Sequence, residues 1–434
     1  MSFSRWQAQK KGQQGTILVL AGLALFMLVG FTSLALDSSL LFVARNELQN
    51  AADAGALAGT RVLYNNNGTQ VNAGANQVAF DTATSNISQT TAVEVNWTAG
   101  TNSGDVERGH WSFATGQFTA NASLEPVDLW NVTTEELDAD PNFINAVRVT
   151  TRREATPVQA LLAQVFGINS TTMTASAVAY IGFAGRLQPF EAEQPFAICQ
   201  DKIVNDDGEF SCNVGRFIPS STNESSNETG GWTDFSQDNA CSGGTNTSEL
   251  RPLICAAGNA EELILGQDMA TIGGQVQSVY KDLYDCWEAA TNQTAPWNLT
   301  LPVIACPDQN VGPCNELRGA VNLNVIFMLD QANNIDVQAP TQMDCPQYLI
   351  DSGACTASWS NASPDGVTRW NSFVEFFNIL MPDGAPAYYD DHPQDSGWRQ
   401  KTLYFLPDCS YHEPSGRTGG ENFGVLAKVP VLVQ

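Results

Sequence analysis

A chain of 434 residues is long enough for two or three domains that each bury a core, and an apolar fraction of 43% places it among folded proteins. Forty-six Asp and Glu against 20 Lys and Arg give a net charge of -26, a surface that repels phosphate backbones and argues against nucleic acid as a partner. All ten cysteines (Cys199, Cys212, Cys241, Cys255, Cys286, Cys306, Cys314, Cys345, Cys355 and Cys409) lie in one region, with no two-residue spacing among them and only 3 His in the chain. That pattern reads as a disulfide framework made in an oxidising compartment, rather than a zinc or redox site. Sequence alone does not fix the pairing; Cys306 with Cys314 and Cys345 with Cys355 are the shortest-range choices.

The first element in the chain is the run from Thr16 to Leu36, TILVLAGLALFMLVGFTSLAL, 21 residues without a charge. As a helix it is long enough to cross a hydrocarbon core of ~30 Å. Arg5, Lys10 and Lys11 precede it with no acid among them, and Asp37 is the first charge after it. This asymmetry predicts a single pass with the amino terminus in the cytoplasm and the remainder on the extracytoplasmic side. A cleaved signal peptide is the competing reading, with Ser33 and Ala35 as small residues for cleavage. The run is longer than a signal core, however, and the helical pattern continues past it. Leu41, Ala44, Leu48, Ala51, Gly55, Ala58 and Val62 recur at alternating steps of three and four, a stripe of mostly small residues to which a helix or a sheet can approach closely. One helix over Thr16 to about Leu63 is expected.

The order of Gly12-Gln13, the apolar run, Leu36-Asp37, Ala44-Arg45, Leu48-Gln49, Ala51-Ala52-Asp53-Ala54 and Ala56-Leu57-Ala58-Gly59 resembles the amino-terminal region of TadG-like proteins of the Tad (Flp) pilus-assembly machinery. The resemblance implies a membrane component that contacts other Tad assembly proteins or pilin-like helices. It does not extend to a processed pilin: the fifth residue after Gly12 is Ile17, and after Gly15 it is Leu20, where pilins carry Glu. Nor does Asp37-Ser38-Ser39-Leu40-Leu41 match the Asp-x-Ser-x-Ser metal motif that some relatives carry in a von Willebrand A-type domain.

Downstream, residues 65–187 read as an α+β ectodomain. Gly109-His110-Trp111 and Thr115-Gly116-Gln117-Phe118 read as strand-turn-strand, Ala146 to Thr150 and Met173 to Ile181 as strands, and Pro157 to Gly167 as a short amphipathic helix. The pattern resets between Gly185 and Glu193, so 188–434 is taken as a separate cysteine-rich extracytoplasmic domain containing β structure. Ser220 to Leu250 reads as a long surface loop, 260–290 as containing a helical stretch with Leu263, Val276, Val279 and Leu283 among its apolar positions, and Val321 to Leu329 and Val425 to Val433 as strands. Lys428 and Pro430 place the last of these at a sheet edge. The fold class is thus α+β: a long amino-terminal membrane helix continuing into the periplasm, a mixed ectodomain and a disulfide-rich carboxy-terminal region.

Catalytic motifs are missing: no Gly-x-Ser-x-Gly, no phosphate loop, no His-Glu-x-x-His. Asp390-Asp391-His392, His412-Glu413, Asp138 with Asp140 and Asp206-Asp207 could ligate a divalent cation, although each also reads as a solvated turn. No enzyme activity and no cofactor are expected. Asn-x-Ser/Thr triplets at Asn96, Asn121, Asn131, Asn223, Asn227, Asn298 and Asn361 follow from an Asn- and Thr-rich composition. The expected role is structural, as an accessory or pseudopilin-like membrane component of a Tad system. The alternative is an anchored adhesin or ligand-binding protein, with Trp359, Trp370 and Trp398 lining a groove.

Overall fold

A computed structural model describes residues 7–434 other than 66–69, 126–128, 130–131, 204–215, 218–229, 239, 274–276, 308–310, 330–342, 344–346, 352–364, 380–384, 390–401, 407–408 and 416. Its first element, α1 (Gln7–Arg61), is an unbroken helix of 55 residues, about 80 Å at 1.5 Å per residue. No proline interrupts it. Between Ile17 and Leu36 its large apolar side chains face outward, with Leu18 78% and Phe31 74% exposed. This helix is long and apolar enough to cross a membrane. Beyond Asp37 its character changes, and Ala44, Leu48, Ala51, Ala52, Ala56 and Leu63 are buried.

What buries them is a second helix and a sheet. The alanines of α2 (Ala75–Thr84) at 75, 79 and 83 fall on one face and are fully buried against α1. The sheet contains β1 (Val106–Ser112), β2 (Gln117–Ala120), β3 (Ala146–Gln159) and β4 (Ser170–Phe183), all antiparallel neighbours. Period-two alternation sends Val147, Val149, Ala177, Ala179 and Ile181 into the core shared with Ala52 and Ala56 of α1. A short helix, α3 (Thr134–Ala139), is closed at its start by a capping box between Thr133 and Glu136. The segment 157–167 is not the expected helix. β3 runs on to Gln159, and only Ala163–Phe166 form a 3₁₀ turn at the tip of the β3–β4 hairpin.

The cysteine-rich part builds an eight-stranded sheet. Its strands are β5 (Phe196–Cys199), β6 (Arg216–Phe217), β7 (Gly230–Thr233), β8 (Asp268–Ile272), β9 (Trp297–Ile304), β10 (Cys314–Leu329), β11 (Thr402–Phe405) and β12 (Ser410–Tyr411). They lie in the order β8-β7-β5-β9-β10-β11-β6, with β12 also on β10. Because β8 pairs with both β7 and β10, the five strands β8, β7, β5, β9 and β10 form a closed circuit of neighbours. The β5–β9 pair is parallel. Helices α4 (Gln277–Thr291) and α5 (Gly366–Phe377) contribute Tyr280, Leu283, Trp287, Trp370, Phe373 and Phe377 to its core, around Phe327 of β10. The helical stretch expected within 260–290 is Gln277–Thr291. Leu263 sits instead in a two-residue strand paired with Leu187, and Val276 lies outside the described residues.

The last strand, β13 (Leu426–Leu432), is at an edge as Lys428 and Pro430 foretell, and those two residues fall within a register shift between Ala427 and Val431. Its partner is β4 of the first sheet. The first sheet thus has the order β13-β4-β3-β1-β2, and the unit around 65–187 also takes in the distal half of α1 and a strand from the far end of the chain. A further apolar cluster, including Ala184, Leu187, Leu265, Leu317, Val425 and Ala427, joins the two sheets.

Candidate functional site

The small-residue stripe is occupied by the chain's own structure. Ala44, Leu48, Ala51 and Gly55 are buried, while Leu41, Ala58 and Val62 are half-buried along its margin. A Cβ on Gly55 would stand 2.9 Å from the Ala79 carbonyl oxygen and 2.9 Å from the Ala83 Cβ, and one on Gly59 would stand 2.8 Å from the Ala79 Cβ. These two positions let α2 cross α1 in direct contact. Polar landmarks of the same segment tie it to neighbouring strands and loops. Thr60 donates to the Ala179 carbonyl at 3.0 Å, Thr151 of β3 donates to the Leu48 carbonyl at 2.8 Å, and Glu47 accepts the Gln89 N–H at 2.9 Å. The stripe fixes the helix to the domain that follows it.

Nearer the span, the face made by Gly30, Ser33 and Asp37 meets the tip of the β3–β4 hairpin. The Asp37 carboxylate, 8% exposed, accepts the N–H of Leu161 at 2.6 Å, of Leu162 at 3.2 Å and of Ala163 at 2.6 Å. It thereby takes up the free donors that open the 3₁₀ turn. Phe166, in that turn, lies edge-on to Phe26 of the span with ring centroids 6.1 Å apart. Where the tip joins the hairpin, the bulge between Arg153 and Val158 is held by a second carboxylate. Glu94 accepts the N–H of Glu154 (3.0 Å), Ala155 (2.8 Å) and Thr156 (2.7 Å), together with the Thr156 hydroxyl. Burial opposes ionisation of Glu94, but these donors outweigh it and hold its pKa at about 2. Neither role was read from the sequence. The available signal was the absence of any charged residue between Glu154 and Arg186 in so acidic a chain.

The carboxylates picked out as cation ligands have other partners. Asp138 accepts from Phe113 N at 2.6 Å, Ala114 N at 3.0 Å and the Ser112 hydroxyl at 3.0 Å. Burial opposes its ionisation, but those donors prevail and lower its pKa. Asp140 accepts the Asn142 N–H at 2.9 Å. His412 lies 3.7 Å from Glu191, and Glu413 pairs with Lys428. Asp206-Asp207 and Asp390-Asp391-His392 lie outside the described residues, as do Trp359 and Trp398. Trp370, expected in a groove, is buried in the core and donates its indole N–H to the Ala387 carbonyl at 2.8 Å.

Three disulfides join Cys199 to Cys306, Cys241 to Cys314 and Cys255 to Cys286, across 107, 73 and 31 residues. The short-range pairing of Cys306 with Cys314 is therefore replaced by two long-range bonds, because β5 lies beside β9 and β8 beside the start of β10. Cys409 is also disulfide-bonded, whereas Cys212, Cys345 and Cys355 lie outside the described residues. The Asp268 carboxylate sits beside Cys241 and Cys314, but the bond between the two sulfurs leaves no thiolate there for a metal. A cleft of about 1180 Å³ opens nearby between the two sheets, lined by Glu135, Asp201, Asp268, Glu316, Arg318 and Glu421. Arg318 is paired with Glu316 and lies over the Phe423 ring.

Residues 42–179 match the family model described as Tad-like Flp pilus-assembly. This stretch is similar to a Tad-related domain. The match begins where α1 leaves the candidate span and ends in β4, so it covers the packed half of the helix, α2 and four strands of the first sheet. No curated protein and no solved structure matches the chain.

Proposed function

We propose that this protein is a membrane-anchored accessory component of a Tad (Flp) pilus-assembly system, with a structural rather than catalytic role. The observation that carries this reading is the position of the Tad-like domain: it is built directly on the helix that supplies the candidate span, with no linker between anchor and domain. Such a helix transmits position. A subunit or assembly partner bound to the ectodomain would be held at a fixed height and orientation over the bilayer. The basic flank before the span and the disulfides beyond it both support an inner-membrane anchor with its ectodomain in the periplasm. The partners are then other Tad assembly proteins or pilin-like helices, reached through surfaces other than the stripe, which α2 and the sheet already fill.

The test is deletion of the gene and complementation with the full chain. Loss of pili in the deletion strain, restored by complementation, is the expected result. Normal pilus number in the deletion strain would overturn the assembly role. Protease added to spheroplasts should digest the region beyond the span, and its protection would overturn the orientation.

A further inference from the structure

The apolar tip of the β3–β4 hairpin has no protein cover among the described residues: Leu161, Val165, Phe166 and Ile168 are 61%, 71%, 49% and 55% exposed. Its place on α1 indicates what covers it. Asp37, the first charge after the span, holds the start of the tip, and from there the tip descends along the span. The Phe166 ring comes within 3.7 Å of where a Gly30 Cβ would be and packs against Phe26, 7 and 11 residues below Asp37. At 1.5 Å per residue that is roughly 10–16 Å below the Asp37 level, about half the depth of a ~30 Å hydrocarbon core.

Two further observations fit this placement. No charged side chain occurs between Glu154 and Arg186, although the chain carries 46 acids. Most backbone N–H groups of the tip are also satisfied within the protein. The N–H groups of Leu161, Leu162 and Ala163 go to Asp37, that of Ala160 to the Asn169 carbonyl, and those of Val165, Gly167 and Ile168 to the carbonyls of Leu162, Gln164 and Ala163. Gln164 turns its amide back to the Ala160 carbonyl. Backbone in hydrocarbon has to be satisfied in this way, whereas an aqueous loop has no such requirement.

We propose that this tip is a second membrane element, inserted beside the span into the acyl chains of the leaflet on the ectodomain side, with Asp37 as the interfacial staple that holds the two together. The partner is the lipid itself. The inference rests on the reading of α1 as a membrane span, and the experiment separates the two.

Full-length oxidised protein is reconstituted into vesicles of phosphatidylethanolamine and phosphatidylglycerol, with a nitroxide on a single introduced cysteine: Leu25→Cys on the span, Val165→Cys on the tip or Thr115→Cys on an exposed turn. Collision with oxygen and with an aqueous nickel chelate is compared at each site. The expected result is an oxygen-to-nickel ratio several-fold higher at positions 25 and 165 than at 115, and a drop at 165 alone when Asp37→Asn is added. A high ratio at 25 with a water-like ratio at 165 would overturn the inserted tip and leave the span intact. An immobilised label at 165 that meets neither reagent would overturn it in favour of a protein partner. A water-like ratio at 25 would overturn the span and the tip together.

Discussion

Three residues decide how the Tad-like domain is seated. Gly55 has no room for a side chain, since a Cβ there already meets a backbone oxygen and Ala83. Gly55→Leu should therefore lower ectodomain stability by about 2 kcal/mol or more, read as a fall in melting temperature of the purified protein; an unchanged melting temperature would show that α2 yields. Leu48 of α1 is fully buried against Val93 and against Ala175 of β4, and Leu48→Ala should cost about 2–5 kcal/mol in the same assay. Glu94 gives a pH dependence. Its folded pKa is held at about 2, below its ordinary value of 4.5, so its contribution is fully present above pH 4.5. It is lost as pH falls from 4.5 towards 2, when protonation releases the bulge N–H groups. Glu94→Gln should flatten the acid side of the stability profile in that window, and the wild-type slope persisting in the variant would show that other carboxylates govern it.

At the scale of elements, legibility in the sequence followed what each pattern serves. The long helix was readable because its apolar run and its small-residue stripe each have one plain pattern, a length sufficient to cross a bilayer for the first and close packing for the second. The strands over Ala146–Thr150, Met173–Ile181 and Val321–Leu329 were readable because one or both faces are buried. Pro157 to Gly167 was misread because its apolar residues do not mark the core face of a helix; they stand on the outside of a hairpin tip. The stripe itself was visible, but its occupant was not. Small residues announce a close neighbour without saying whether it comes from the same chain, and here it is α2 and the sheet. Asp37 looked like the ordinary first charge after a span, since its partners lie more than 120 residues away. Cysteine pairing was hidden for the same reason, because strand order in space differs from order in sequence.

Across the whole molecule, the disulfides and the Tad-like sheet are segregated. Every cysteine lies from Cys199 onward, so reduction should act on the eight-stranded sheet first. Each bond lost is worth about 2–4 kcal/mol. Limited proteolysis in the presence of a reductant should open 199–409 well before the packed core of α1, α2 and β1–β4. Simultaneous cleavage of both regions would mean that the apolar cluster joining the sheets makes them one cooperative unit. The opposite dependence runs through β13. Truncation after Val425 should leave the β4 edge unpaired and promote self-association, measurable by light scattering of detergent-solubilised protein.

The pairing of β13 with β4 also sets an order of events in biogenesis. β4 ends at Phe183 and β13 begins at Leu426, so more than two hundred residues must be synthesised between the two partners. Throughout that interval the first sheet lacks an edge strand. A nascent chain stalled or clipped before Leu426 would therefore present an open β edge, a form that proteases or a holding chaperone could recognise. Only addition of the distal end removes that mark, so β13 serves as the molecule's certificate of complete synthesis.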